Sequence, residues 1–275
     1  MPNSLFAIFA IFLYGLATVL VALFLRSLKD SNTDLDGGKV TASFVVGIIG
    51  AACHITYALE KSFIGESLNA SLSSMTVLMS CLLVVLFLLG GVVMPIRRLG
   101  ILVFPLTMAS IIFTFLWDNK VTLLDNHSLT FNAHLVFSLL AYCLLAIASI
   151  QALLYSYQER QIKNRTNPAM LMALPPLQTM ELLLFRLVGF GFVVLSLTVV
   201  SGAIFSQELF GYAFVFKHHT ILALLGWLVF AILLFKRVKH GLRGSRAVIW
   251  TISGFLLIQL GYFGTKIVSE SLSLQ

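Results

Sequence analysis

The chain has 275 residues, 59% of them hydrophobic and 11% charged, with a mean hydropathy of +0.99. Soluble globular domains carry about 25% charged residues, so this balance excludes an ordinary soluble protein, a disordered chain and a nucleic-acid reader. The formal charge of +7 then reads as membrane topology rather than as a nucleic-acid surface.

A bilayer-crossing helix needs about 20 mostly apolar residues, and eight runs qualify. In chain order they are Leu5–Leu25, Val40–Leu59, Met75–Met94, Ile101–Trp117, Ala133–Tyr155, Leu182–Phe205, His218–Phe235 and Ala247–Val268. The first has no basic flank before it and no small-residue cleavage site after it, so it is expected to persist as a helix. The fourth is short, and Pro105 near its start is a potential kink. Every connection is short, the longest polar one being Gln158–Glu181, so any site must be built from helices and short loops. No internal repeat is visible, which argues against a transporter of inverted repeats. The expectation is an all-α polytopic membrane protein in two parts, residues 1–132 and 133–275.

Lys and Arg set the orientation. Arg26, Lys29, Lys39, Arg97, Arg98, Arg160, Lys163, Arg165, Lys236, Arg237, Lys239, Arg243 and Arg246 fall on one side, 13 in all. The other side holds four: Lys61, Lys120, Lys217 and Lys266. Both termini are therefore expected outside, at the periplasmic face of an inner membrane. Arg186 remains, about one turn inside the sixth span. Snorkelling to the cytoplasmic surface and pairing with Glu181 are its two readings.

Cys53, Cys81 and Cys143 lie in apolar runs and form no C-x-x-C pair, so they read as buried structural thiols. No Ser-His-Asp or paired-carboxylate arrangement occurs among the spans. The glycines Gly189, Gly191 and Gly202 in the sixth span, and Gly254, Gly261 and Gly264 in the eighth, read as sites of close helix approach.

Histidines carry the remaining chemistry. On this topology five of the six face outward: His54 in the outer third of the second span, His127 in a loop, His134 opening the fifth span, and His218 with His219 opening the seventh. His127 and the cytoplasmic His240 read as interfacial polar residues. His54, His134 and His219 lie within or at the ends of spans, where an ionisable group is costly and marks function by default. Imidazole ligates metals and haem iron, so these three are candidate iron ligands. His218 is adjacent to His219 and points about 100° away on a helix, so at most one of the two serves. Phe210, Tyr212, Phe214 and Phe216 alternate along the loop after the sixth span. They suit either a porphyrin-facing shelf or an interfacial aromatic belt.

From Ala133 to Val268 the chain resembles the integral-membrane cytochrome c assembly proteins, a family with CcsA-, HemX- and YpjD-like members. The resemblance rests on His134 with Ser138 and Tyr142, and on Leu174-Pro175-Pro176-Leu177 with Glu181 and Phe185-Arg186. It continues through Gly189 to Ala203, then Trp227 to Ala231, Gly241-Leu242-Arg243-Gly244, Gly254-Phe255 and Tyr262-Phe263-Gly264. His54 also stands at a family position. The resemblance implies haem handling at the outer face, where CcsA-type members present haem to apocytochrome c. They use a loop of the form WGxYWxWD flanked by two histidines.

This chain departs from that pattern. Phe, Ala and Lys stand in the loop Phe210–Lys217, and the stretch Gly264–Gln275 holds no second flanking histidine. The pattern is nearest the YpjD and HemX branch and sets the expectation that the chain is not a cytochrome c synthase. It implies an accessory protein binding haem b non-covalently between His134 and one of His54, His218 or His219. Its surroundings would be membrane lipid, and its partners haem-pathway or cytochrome c assembly proteins. The rivals are a non-haem regulatory or scaffold protein acting through the basic loops, and a small-molecule transporter.

Overall fold

The structure is a computed structural model that describes residues 4–27, 37–65, 67–117, 123–124, 128–164, 175–211, 218–264 and 267. Eight helices among them are long and apolar enough to cross a membrane, as the hydropathy runs predict. They are α1 (Ser4–Ser27), α2 (Gly37–Ser62), α3 (Leu72–Val93), α4 (Gly100–Leu116), α5 (Leu129–Asn164), α6 (Leu177–Phe210), α7 (His218–His240) and α8 (Ser245–Gln259). A 3-10 turn, Arg97–Leu99, leads into α4, and a π-helical segment, Leu260–Gly264, continues α8. Helix α4 runs on through Pro105. The chain is an all-α, multi-pass membrane protein.

Helices folded back on themselves satisfy every backbone group without water, which is what a bilayer demands. Large apolar side chains such as Leu5, Phe9, Phe12 and Leu16 therefore line the outside of α1 at no cost in lipid. The inside mixes aliphatic side chains such as Leu72, Ile111, Leu145 and Leu184 with small, aromatic and polar groups.

The chain divides into two compact units. The first comprises Met1–Leu124 with Tyr157–Met180, and the second Asp125–Ser156 with Glu181–Gln275.

In the first unit α1 packs on α2 and α4, while α3 packs on α2 and α4. Near the basic ends of these helices the core is aromatic. Phe87 meets Phe44 and Phe104 edge-on, and Phe104 stacks on Tyr14. Arg97 lies over Phe44 at 4.9 Å and Arg98 over Phe24 at 5.8 Å, where cation–π attraction holds the charges against the rings. Toward the other end the core turns polar. Tyr57 Oη and Thr114 Oγ1 are 2.6 Å apart, and Ser80 meets Ser110.

A small antiparallel sheet closes that polar end, β1 (Phe63–Ile64), β2 (Ser67–Asn69) and β3 (Leu123–Leu124), with Phe63 opposite Leu68 and Leu68 opposite Leu124. Gly65, with φ +64°, makes the turn between β1 and β2. Asn69 donates to Ser74 Oγ at 2.8 Å, and Ser71 caps α3 by accepting from the Ser74 backbone amide.

In the second unit α5 and α6 run antiparallel, with Gly191 set against Leu145. Trp227 of α7 donates to Ser196 of α6 at 2.9 Å. Tyr142 of α5 donates to the Gln259 side-chain carbonyl of α8, and Gly254 of α8 is set against Phe230 of α7. Each helix of this unit is thus tied to a neighbour by one polar or one close-packed contact. Gly189 departs from the close-approach reading: nothing lies within 4 Å of where its Cβ would stand. The helix there faces open space, so the glycine has no packing reason.

Candidate functional site

Helix α5 begins at Ser128, whose hydroxyl accepts from the Phe131 amide at 3.2 Å. A serine there satisfies one of the orphan amides of the first turn and fixes the helix start. It thereby places His134 on the second turn, facing α6. The imidazole Nδ1 lies 3.1 Å from the Thr198 backbone oxygen and 3.4 Å from Ser201 Oγ. A carbonyl oxygen only accepts, so Nδ1 carries the proton and Nε2 carries the lone pair.

The ring reaches this position because residue 202 has no side chain. A Cβ there would stand 2.8 Å from His134 Cε1 and 3.0 Å from Nδ1. Phe205 stacks nearly parallel to the imidazole, with centroids 6.5 Å apart and planes 13° apart, and Phe131 tilts against Phe205 at 5.5 Å. His134 is half-buried. Thr198, Ser201, Gly202 and Phe205 sit at successive three- and four-residue steps, on one face of α6. The ring is thus fixed through one nitrogen by a backbone carbonyl of the neighbouring helix.

His54 sits differently. It lies in the first unit with no exposed surface. Tyr14 Oη approaches Nδ1 at 3.3 Å, and the Tyr14 ring packs edge-on at 5.9 Å. Nε2 is buried with no hydrogen-bond partner among the described residues, and the Val77 backbone of α3 lies close to the ring. His54 therefore ties α1, α2 and α3 together.

His218 and His219 are exposed at the first turn of α7. The His219 carbonyl lies 3.3 Å from the Cβ position of Gly261. Because α5 and α6 are antiparallel and α7 follows α6, these histidines stand at the same end of the second unit as His134. Phe210 ends α6 with its side chain outside the described set, and Tyr212, Phe214, Phe216 and His127 lie outside the described residues. Among the described residues no three His, Cys, Asp or Glu side chains converge as a metal cage.

The partners of His134 on α6 were not singled out from the sequence as its neighbours. A small residue one turn beyond a Thr and Ser on one helix face is the signal that marks them. At the opposite end of the unit, Glu181 bonds Arg237 at 2.5 Å and stands 3.6 Å from Arg243. It does not pair with Arg186.

Eight helices long and apolar enough to cross a membrane, with a histidine held at one helix end by a neighbouring helix, define a polytopic membrane protein. The family model described as Cytochrome C assembly protein matches residues 42–273, so the chain belongs to that family. It is 28% identical to the inner membrane protein YpjD of Escherichia coli strain K12, over 98% of this chain and 99% of that one. Cytochrome c biogenesis proteins CcsA are similar over a shorter stretch. The one from Trichormus variabilis is 30% identical over 34% of this chain and 27% of its own. That from Chlamydomonas reinhardtii is 33% identical over 35% and 27%. The chain is a multi-pass protein of the inner membrane.

Proposed function

We propose that this protein is a haem-handling accessory of the inner membrane, binding haem b non-covalently and leaving thioether chemistry to others. The observation that carries the reading is the His134 imidazole, whose Nδ1–H is committed to the Thr198 carbonyl while Nε2 is left to coordinate. Histidine ligands of metals nearly always have their second nitrogen bound in this way, which fixes the tautomer and raises ligand basicity. Gly202 and Phe205 complete the fit by holding the ring flat against α6.

His218 or His219, exposed at the same end of the unit, would supply the second ligand, ahead of the enclosed His54. When bound, haem supplies an iron whose ligand field reports on both axial groups. Phe210, Tyr212, Phe214 and Phe216 are proposed to shelter the porphyrin. The surplus of basic residues at the other helix ends puts this histidine-bearing end outside, where haem-pathway or cytochrome c assembly proteins are the proposed partners.

The test is spectroscopic. Full-length protein expressed with ample haem and purified in detergent is expected to show a Soret band. His134→Ala is expected to abolish it, and replacing both His218 and His219 to shift it. A colourless wild type, or a spectrum indifferent to His134→Ala, overturns the reading. Should charge reversal between Lys236 and Arg246 alone carry the cellular phenotype, the protein acts as a regulatory scaffold instead.

A further inference from the structure

Arg186 is a sequence feature that the haem reading leaves unused, and the structure places it on an exposed face of α6. Along α6 the exposed residues Leu182, Arg186, Phe190, Val193 and Leu197 form one stripe at three- and four-residue steps. Four of the five are apolar and lie where a spanning helix meets acyl chains. Glu181 is five residues earlier, about 140° around the helix, and is held by Arg237 on its own side. It is also the single carboxylate among the described side chains of this unit. The guanidinium of Arg186 therefore has no anion to meet within the described unit.

The other cations at this end share that one carboxylate or go without it among the described residues. Arg237 is absorbed by Glu181, the Leu242 carbonyl and the face of Phe185. Lys239 and Arg246 are exposed on either side of the α7–α8 turn, with no ion pair among the described residues. Arg243 is 71% exposed and shares the Glu181 oxygen that Arg237 already holds more closely. Lys236 rests over Trp250 at 4.5 Å, an arrangement suited to the aromatic belt at a membrane surface. Gly241 and Gly244, with φ of +62° and +67°, keep the turn tight, so these charges stay at one level.

We infer that the basic end of the second unit is a binding surface for anionic phospholipid headgroups, with Arg186 reaching up from the lipid-facing stripe to a phosphodiester. Depth argues for lipid over an acidic protein. Arg186 lies about 7.5 Å further along the helix than Glu181, on a face bathed by acyl chains, and a long side chain snorkels from there to the phosphate level. A soluble partner docking on the turn would not reach it. The inference is independent of haem.

Native mass spectrometry of the full chain, released from nanodiscs of mixed phosphatidylglycerol and phosphatidylcholine, tests it. The wild type is expected to retain phosphatidylglycerol preferentially, and millimolar inorganic phosphate is expected to leave that preference intact. Arg186→Gln is expected to lower the preference about fivefold, the ratio that corresponds to one interfacial cation. Arg246→Gln, on an exposed turn that tolerates change, is expected to lower it similarly and guards against an Arg186 variant that fails to fold. Equal retention of the two lipids by the wild type overturns the inference, as does full preference in both variants. Loss of the preference to inorganic phosphate overturns it too, by making the surface a site for free anions.

Discussion

An alanine at position 202 would set its Cβ 2.8 Å from His134 Cε1, closer than packed atoms stand, so the imidazole would have to leave the Thr198 carbonyl. Gly202→Ala is thus expected to weaken or shift the Soret band while the protein still folds, since overpacking by one methyl costs about 1–3 kcal/mol. Combined with His134→Ala it should add nothing further to the spectrum, because both changes act on one ring. A Soret band left unchanged by Gly202→Ala alone would separate Gly202 from the ligand. His54 makes the opposite prediction. Tyr14→Phe removes the group that approaches Nδ1 at 3.3 Å and should lower stability in detergent by about 0.6–1.7 kcal/mol, read as the thermal unfolding midpoint, without altering any haem spectrum. His134 was visible in the sequence because an ionisable residue stands out in an apolar run. Its neighbours were not, because Thr198 is 64 residues away and only helix pairing brings it near.

The helices themselves were legible wherever apolarity and helix formation coincide, and misjudged in extent where they part. Helix α5 has 36 residues, about 54 Å at 1.5 Å per residue, against a hydrocarbon core of about 30 Å. Its apolar run ends near Tyr155, but backbone hydrogen bonding needs no apolar side chains. The polar tail continues, with Lys163 bonding Glu159 one turn back at 3.2 Å and Gln158 donating to the Pro175 carbonyl at 2.9 Å. The sheet at the polar end of the first unit was illegible, because Leu68 pairs with Leu124 and no local pattern specifies so distant a partner.

Within α6, Gly191 and Gly189 look alike in sequence and differ in surroundings. Gly191→Val would drive a side chain into Leu145 Cδ2, 2.6 Å from the Cβ position, and is expected to cost about 1–3 kcal/mol. Gly189→Ala meets nothing within 4 Å and is expected to stabilise by about 0.8–1.0 kcal/mol through helix propensity alone. Unfolding midpoints of the two variants should therefore move in opposite directions. A common direction would mean that helix contacts, rather than propensity, govern both positions.

At the scale of the whole molecule, the eight spans found among the described residues would place successive loops on alternate sides, so one orientation would set them all. The proposed orientation rests on the sequence, which assigns 13 Lys and Arg to one side and four to the other, since loops rich in these residues stay cytoplasmic. The described part of the second unit has the same polarity, with Lys236, Arg237, Lys239, Arg243 and Arg246 clustered around one turn and His134, His218 and His219 at the opposite end. Single cysteines test it in a background with Cys53, Cys81 and Cys143 replaced by alanine. Ser128→Cys is expected to react with a membrane-impermeant maleimide on intact spheroplasts, whereas Arg160→Cys and Ser245→Cys should react only after permeabilisation. The inverse pattern would place the His134 end in the cytoplasm and the proposed haem site on the side where haem is made rather than where it is attached. Labelling of all three in intact spheroplasts would break the eight-span alternation itself. The experiment thus bears on the proposed function as much as on topology, because a haem held by His134 would be presented only to partners on its own side of the membrane.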